Sequence, residues 1–208
     1  WLGEQLALAG IDCVYHVTIG DNRQRMHDTI QQALDRSDAV IVSGGLGPTQ
    51  DDITREVIAD VMKVGLIRDD EIAERIRHRF ESRGRIMSEN NLKQADIPDG
   101  GVAIPQMPGT APGLICPVGE KIIYAVPGVP FEMKMMVNEC VLPDLKQRSG
   151  ITSVIKSRVL KTWGQTESGL DEMLTERMAY LDDKGGATIA FQASGIEGLK
   201  VRLTVKKE

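Results

Sequence analysis

The hydrophobic positions of this chain change period several times, and each change marks an element. WLGEQLALAG carries apolar residues at helical spacing and closes on Gly10, so it reads as a helix with no capping residue ahead of it. In IDCVYHV, Ile11, Cys13, Tyr15 and Val17 alternate with Asp12, Val14 and His16, which predicts a strand. NRQRMHDTIQQALDRS then places Met26, Ile30, Ala33 and Leu34 on one helical face. DAVIVSGG follows, where Ala39, Val40, Ile41 and Val42 show no polar alternation, as expected of a parallel strand covered on both faces. After Ile53, Val57, Ile58, Val61 and Met62 form an amphipathic stripe, and DDEIAERIRHRFESRGR continues as a charged helix with Ile72, Ile76 and Phe80 inside.

SENNLKQA reads as a short capped helix, and GVAIP, GLICPV and KIIYAVP as three short strands, the last two joined by a hairpin turn at Gly119-Glu120. PFEMKMMVNECVLPDLKQ is a helix beginning just after Pro130, with Met133, Met135 and Met136 filling core. The pattern changes near Ser149-Gly150. TSVIKSRVLKTW is a strand, ESGLDEMLTERMAYL a helix, and ATIAFQA and LKVRLTV two more strands. The predicted architecture is therefore α/β: a doubly wound domain over residues 1–148 and a small α+β unit over 151–208. With 208 residues, 41% of them hydrophobic, the chain can fill one full core and a small second one.

Charge narrows the ligand class. Twenty-five basic residues against thirty acidic ones leave a net charge of -5, which argues against broad capture of nucleic acid or an anionic membrane. No apolar run approaches the roughly 18 residues of a bilayer span, and the start lacks the pattern of a signal peptide. Cys13, Cys116 and Cys140 are odd in number and form no CxxC pair, so neither a disulfide framework nor a zinc site is indicated. His16, His27 and His78 lack metal-ligand spacing. These features predict a cytoplasmic protein with a small polar ligand.

The candidate chemistry lies in SGGLGPTQDDITREV. Glycines at the carboxyl end of a parallel strand let backbone N–H groups approach a ligand, and the helix start that follows carries partial positive charge, so phosphate is the natural guest. Asp51 and Asp52 oppose an anion unless a divalent cation sits between carboxylate and phosphate. Two readings stay open for this pair. They hold a metal, or they complement the helix dipole while Thr49 and Asp52 form a capping box. Thr54 either donates to a ligand or satisfies its own helix.

GGLGPTQDDIT resembles the signature of the molybdopterin-binding (MoCF-type) domain. GDNRQRM, MSENNLKQADIP, GTAPG and AVPGVPFEM extend the likeness to one branch, the N-terminal domain of the competence/damage-inducible protein CinA family, over residues 1 to 147. Residues 151–208 resemble the small KH-like domain that follows there. The resemblance implies a three-layer fold with a mostly parallel sheet. It also implies hydrolysis of the pyrophosphate of ADP-ribose to AMP and ribose 5-phosphate with a divalent metal, Mg2+ or a transition metal. On this chain it points to Asp51 and Asp52 as metal or water ligands, with Glu132 as a third carboxylate, and to Gly44, Gly45, Gly47, Pro48 and Thr49 as the phosphate loop above Thr54. Lys93, with Asn90 and Asn91, would reach a phosphate, and Gly109, Thr110, Gly128 and Val129 would line the nucleotide.

The same likeness leaves molybdopterin binding or adenylylation as a second function. Two stretches depart from the pattern: Gln106 stands where the family has asparagine, and PGVPFEM replaces PGPPSEM. The family's first strand, with a GTELL-like turn, would precede Trp1, and its nicotinamide-mononucleotide deamidase domain would follow Glu208, so neither is expected of these residues. In the KH-like unit the turn from Trp163 to Glu167 lacks the second glycine of a GXXG clamp and adds a carboxylate. With nine basic and eight acidic side chains over residues 151–208, that unit is expected to bind no nucleic acid, to use Trp163 in packing and to form a homodimer.

Overall fold

The computed structural model describes residues 1–105, 107–150, 154–193 and 198–207. It divides into two compact units, Val17–Asp144 and a second made of Trp1–His16 with Leu145–Glu208. A short helix α1 (Leu2–Leu8) opens the chain. The alternation that follows does not become a strand: residues 11–20 have no regular structure, and Val14, Tyr15 and Val17 are exposed. A strand is held by a ladder and a buried face, and this segment has neither among the described residues.

Helix α2 (Arg23–Arg36) starts at Asn22, whose side chain accepts the Arg25 N–H at 3.0 Å, and it buries Met26, Ile30 and Leu34 as the spacing predicted. Strand β1 (Ala39–Ser43) leads through a loop to helix α3 (Thr54–Met62). Strand β2 (Leu66–Arg68), helix α4 (Asp70–Glu81), a 3-10 turn at Glu89–Ala95 and strand β3 (Asp96–Pro98) come next. The 3-10 turn follows Ser88 without the predicted side-chain cap. β2 and β3 pair antiparallel, a ribbon too short to show a period in the sequence. Strands β4 (Val102–Ala103), β5 (Leu114–Val118) and β6 (Lys121–Val126) are the three expected from GVAIP, GLICPV and KIIYAVP.

The main sheet has the order β1-β6-β5-β4 and is mixed. β1 runs parallel to β6, whereas β5 is antiparallel to both β6 and β4. Val118 faces Lys121 across the hairpin, and Gly119 at φ +60° takes the first central position of a type II′ turn. β6 is the deeply buried strand, while β1 lies half-buried beside it. On one face Leu114, Cys116, Ile123 and Ala125 meet Met26, Ile30 and Leu34 of α2 and Val57, Ile58 and Val61 of α3. Each large aliphatic side chain buried there contributes about 1.5–3 kcal/mol.

Beyond β6 the expected single helix is interrupted. Helix α5 (Pro130–Met136) passes through a π turn at Val137–Val141 into helix α6 (Leu142–Ser149). Met136 is fully buried, and Met133 and Met135 half-buried. Tyr124, pointing to the opposite face of the sheet from Ile123, donates to Asp144 at 2.6 Å. Helices thus cover both faces of the sheet, the predicted three layers.

The other unit carries strand β7 (Val154–Thr162), helix α7 (Glu167–Lys184), strand β8 (Ala187–Ala193) and strand β9 (Leu199–Lys207) in an antiparallel sheet ordered β7-β9-β8. Thr166 caps α7 by accepting the Gly169 N–H at 3.1 Å. Trp163 is not packed as predicted: it is 80% exposed, on a turn that Gly164 makes at φ +78°.

Candidate functional site

The parallel register fixes where the candidate site forms. Ser43 lies opposite Val126, so the loops that begin at Gly44 and Pro127 leave the same end of the sheet. They touch: the Gly44 N–H donates to the Val126 carbonyl at 2.9 Å, and a Cβ on Gly128 would sit 3.5 Å from the Gly44 Cα. Gly44 and Gly45 take φ of +102° and +66°, which turn the chain sharply out of β1. A Cβ on Gly45 would come within 2.2 Å of the Thr54 hydroxyl oxygen.

That turn sets the polarity of the loop, because its carbonyls point inward. The Thr54 hydroxyl donates to Gly44 O at 2.9 Å and the Thr54 N–H to Gly45 O at 3.1 Å. Arg55 donates to Leu46 O and, at 3.3 Å, to Gly47 O, and the Gln94 amide reaches Leu46 O at 3.4 Å. Lys93 Nζ donates to Thr49 O at 3.2 Å and to Asp52 O at 2.6 Å, and it lies 3.1 Å from Glu56 Oε1. An ammonium has three donors, and these three acceptors use them all. Lys93 thus ties the 3-10 turn to the loop.

The carboxylates meet at Thr49. Its hydroxyl lies 2.6 Å from Asp52 Oδ2 and 2.5 Å from Asp51 Oδ1, and its N–H donates to Asp52 at 3.0 Å. This is the Thr49–Asp52 pairing of the capping reading, yet it closes a turn ahead of the helix. α3 begins only at Thr54, with Ile53 at its N-cap making no side-chain bond. Burial would raise the Asp52 pKa, but hydrogen bonds from Thr49 and Gly47 and the charge of Arg55 hold it below the ordinary carboxylate value. One hydroxyl carries one proton, so it serves only one of two carboxylate oxygens. The other contact places two electron-rich oxygens together, a pairing that a cation between the carboxylates would relieve. An all-oxygen donor set suits a hard divalent ion.

The remaining candidates distribute as follows. Thr54 is 1% exposed and serves the loop from beneath. Pro48 and Thr110 are half-buried, Asn90 is exposed, and the Asn91 amide donates locally to Ser88 O at 3.1 Å. Glu132 lies against Gly109, where a Cβ would stand 2.3 Å from Glu132 Oε1, and Val129 is exposed at the N-cap of α5. Among the described residues no three His, Cys, Asp or Glu side chains converge as a metal cage. Gln106 lies outside the described residues.

Three residues were not anticipated. Arg55 and Gln94 are 0% and 1% exposed, and Glu56 pairs with Lys93. Arg55 carried a signal in the sequence: it stands three residues before Ile58 and seven before Met62, a lone charge on the apolar face of α3.

A mixed sheet between helical layers, with a glycine turn and an acidic pair at the end of a parallel strand, defines an α/β domain of the molybdopterin-binding type. Residues 1–147 match the family described as a probable molybdopterin binding domain, and the chain belongs to that family. Its relatives narrow the branch. A CinA-like protein of Frankia casuarinae is 44% identical over 99% of this chain and 48% of its own length. A Clostridium beijerinckii protein named as competence-damage inducible is 41% identical over 100% of this chain and 49% of its own. The chain thus spans about half the length of the curated relatives it matches. The crystal structure of the protein CinA from Thermoplasma acidophilum superposes with a TM-score of 0.61 and 32% identity, covering 72% of this chain and 84% of that one. No helix among the described residues is long and apolar enough to cross a membrane.

Proposed function

We propose that this chain hydrolyses the pyrophosphate of ADP-ribose, releasing AMP and ribose 5-phosphate, with a divalent metal held by Asp51 and Asp52. The convergence of these two carboxylates on one hydroxyl, beside a loop whose carbonyls face inward, carries the reading. A magnesium or transition-metal ion bound there would neutralise charge developing on the phosphoryl oxygens and acidify a water. The protein's own part is positional. Within the loop from Gly44 to Thr49, the backbone N–H groups of Gly45 and Leu46 would meet the phosphate, Asp52 is held ionised by Thr49 and Gly47, and Lys93 fixes the acidic turn against Glu56. Gly128 shapes the facing wall, and Gly109 and Glu132 line its far end. The protein would act as a homodimer in the cytoplasm, on a small nucleotide, without binding nucleic acid or membrane.

The family's description favours a second reading, in which the same loop holds the phosphate of molybdopterin. One experiment separates them. The full-length protein is incubated with ADP-ribose and Mg2+ or Mn2+, and AMP is measured by chromatography for the parent and for Asp52→Ala. Metal-dependent AMP release that is lost in Asp52→Ala is expected. Full activity in Asp52→Ala removes the site assignment, and stoichiometric molybdopterin binding without turnover replaces the function.

A further inference from the structure

Arg55 is among the largest fully buried side chains of the described residues, and it is charged. Burying a guanidinium is costly, and an apolar side chain of similar volume in its place is often neutral or stabilising. Packing alone therefore gives little reason for an arginine here. Its burial is also incompletely compensated, since Arg55 Nε, Gln94 Oε1 and Glu56 Oε2 are buried with no hydrogen-bond partner. What the guanidinium does accomplish is specific: its two terminal nitrogens hold the carbonyls of Leu46 and Gly47, and Gln94 holds Leu46 from a second side.

A peptide group is planar, so fixing its carbonyl fixes its N–H on the opposite side. With Leu46 O drawn down to Arg55 and Gln94, the N–H of Gly47 faces the other way, and Gly47 is among the groups that favour the ionised Asp52 carboxylate. The approach is close, because a Cβ on Gly47 would lie 2.3 Å from Asp52 Oδ2. We propose that Arg55 is a positioning residue that, with Gln94 and through the Leu46–Gly47 peptide, sets the direction of the Asp52 carboxylate. The link runs from a buried cation through one rigid peptide to an acid on the loop surface. Its catalytic consequence rests on the function proposed above, but its geometric content does not.

The test uses the full-length protein with Arg55→Met and Arg55→Lys. Without metal or substrate, hydrogen exchange of the Gly47 amide is compared with that of Ile123 and Val126 in β6. Mn2+ affinity is then measured by titration, and kcat and KM with ADP-ribose. In Arg55→Met the Gly47 amide is expected to exchange roughly fivefold faster or more, the factor one ordinary hydrogen bond represents, with the β6 amides unchanged. Mn2+ affinity should fall about 10- to 100-fold, as for groups that orient metal ligands elsewhere. Any loss of turnover should appear in kcat more than in KM, and Arg55→Lys should recover part of each effect. Unchanged Gly47 exchange and Mn2+ affinity in a folded Arg55→Met protein overturn the proposal. Should Arg55→Met fail to fold, Gln94→Met removes the second donor on Leu46 O and must move the same amide. A protein that never cleaves ADP-ribose, yet shows the Gly47 effect, sinks the proposed function and leaves the positioning intact.

Discussion

Gly45→Ala tests how the loop is built. At φ +66° an alanine costs roughly 1–2 kcal/mol in backbone strain. Its Cβ would also stand 2.2 Å from Thr54 Oγ1, a contact that forces the hydroxyl away from Gly44 O. Thr54 is 1% exposed, so the displaced group has no water to turn to, and losing this bond adds about 1–3 kcal/mol. The total expected loss is roughly 2–5 kcal/mol. The two parts separate in a double-mutant cycle, because Thr54→Ala removes the oxygen and leaves only a Cβ at 3.2 Å from the new methyl. On that background Gly45→Ala should cost little beyond the backbone part. Urea unfolding of the four proteins, followed by circular dichroism, gives the coupling. Additivity within about 0.5 kcal/mol would refute the packing of Thr54 under the turn.

Asp52→Asn should make stability less dependent on acid. Because the native carboxyl titrates below its unfolded value of about 3.9, its contribution is complete above that pH and is lost as pH falls through the native value. The gap in unfolding free energy between parent and Asp52→Asn should therefore close below about pH 4, and a constant gap in pH-dependent denaturation would contradict it. Gly47→Ala, at a position without positive φ, should keep the fold but push the Asp52 carboxylate aside and lower AMP release roughly 100-fold, measured as kcat. Cys116, whose thiol burial pushes up to about 12, should resist a thiol reagent at neutral pH until urea is added, whereas exposed Cys13 reacts at once; mass spectrometry of the labelled peptides reads both.

Much of the fold could be read along the chain because local pattern and tertiary role agreed. The helical stripe of α2 and the glycine of the β5–β6 hairpin each had one physical solution, and the structure adopts it; β1 pairs parallel as expected but lies half-buried at the end of the sheet order rather than covered on both faces. The segment from Ile11 to Val17 shows the limit: alternation describes a face to bury, and no neighbouring strand among the described residues completes a ladder for it. The site was legible in its backbone and less so in its side chains. Gly44, Gly45, Asp51 and Asp52 fell where a strand-to-helix loop requires them. Lys93 does reach the loop, but its partners there are the carbonyls of Thr49 and Asp52 and the Glu56 carboxylate, which no neighbour of Lys93 in the sequence announces. Arg55 has no place in the apolar stripe, yet its spacing to Ile58 puts it on the inner face.

The inward carbonyls of the loop have a consequence for how a ligand would feel the protein. At a net charge of -5 the molecule as a whole repels anions at long range. The loop answers with oriented peptide dipoles, which act only over a few ångströms and are fixed in place by Thr54, Arg55, Gln94 and Lys93 rather than carried on mobile side chains. Added salt screens the repulsion far more than it screens such short-range dipoles. Rising ionic strength should therefore leave capture of a phosphate by this loop intact or faster, the opposite of what a basic surface patch would show.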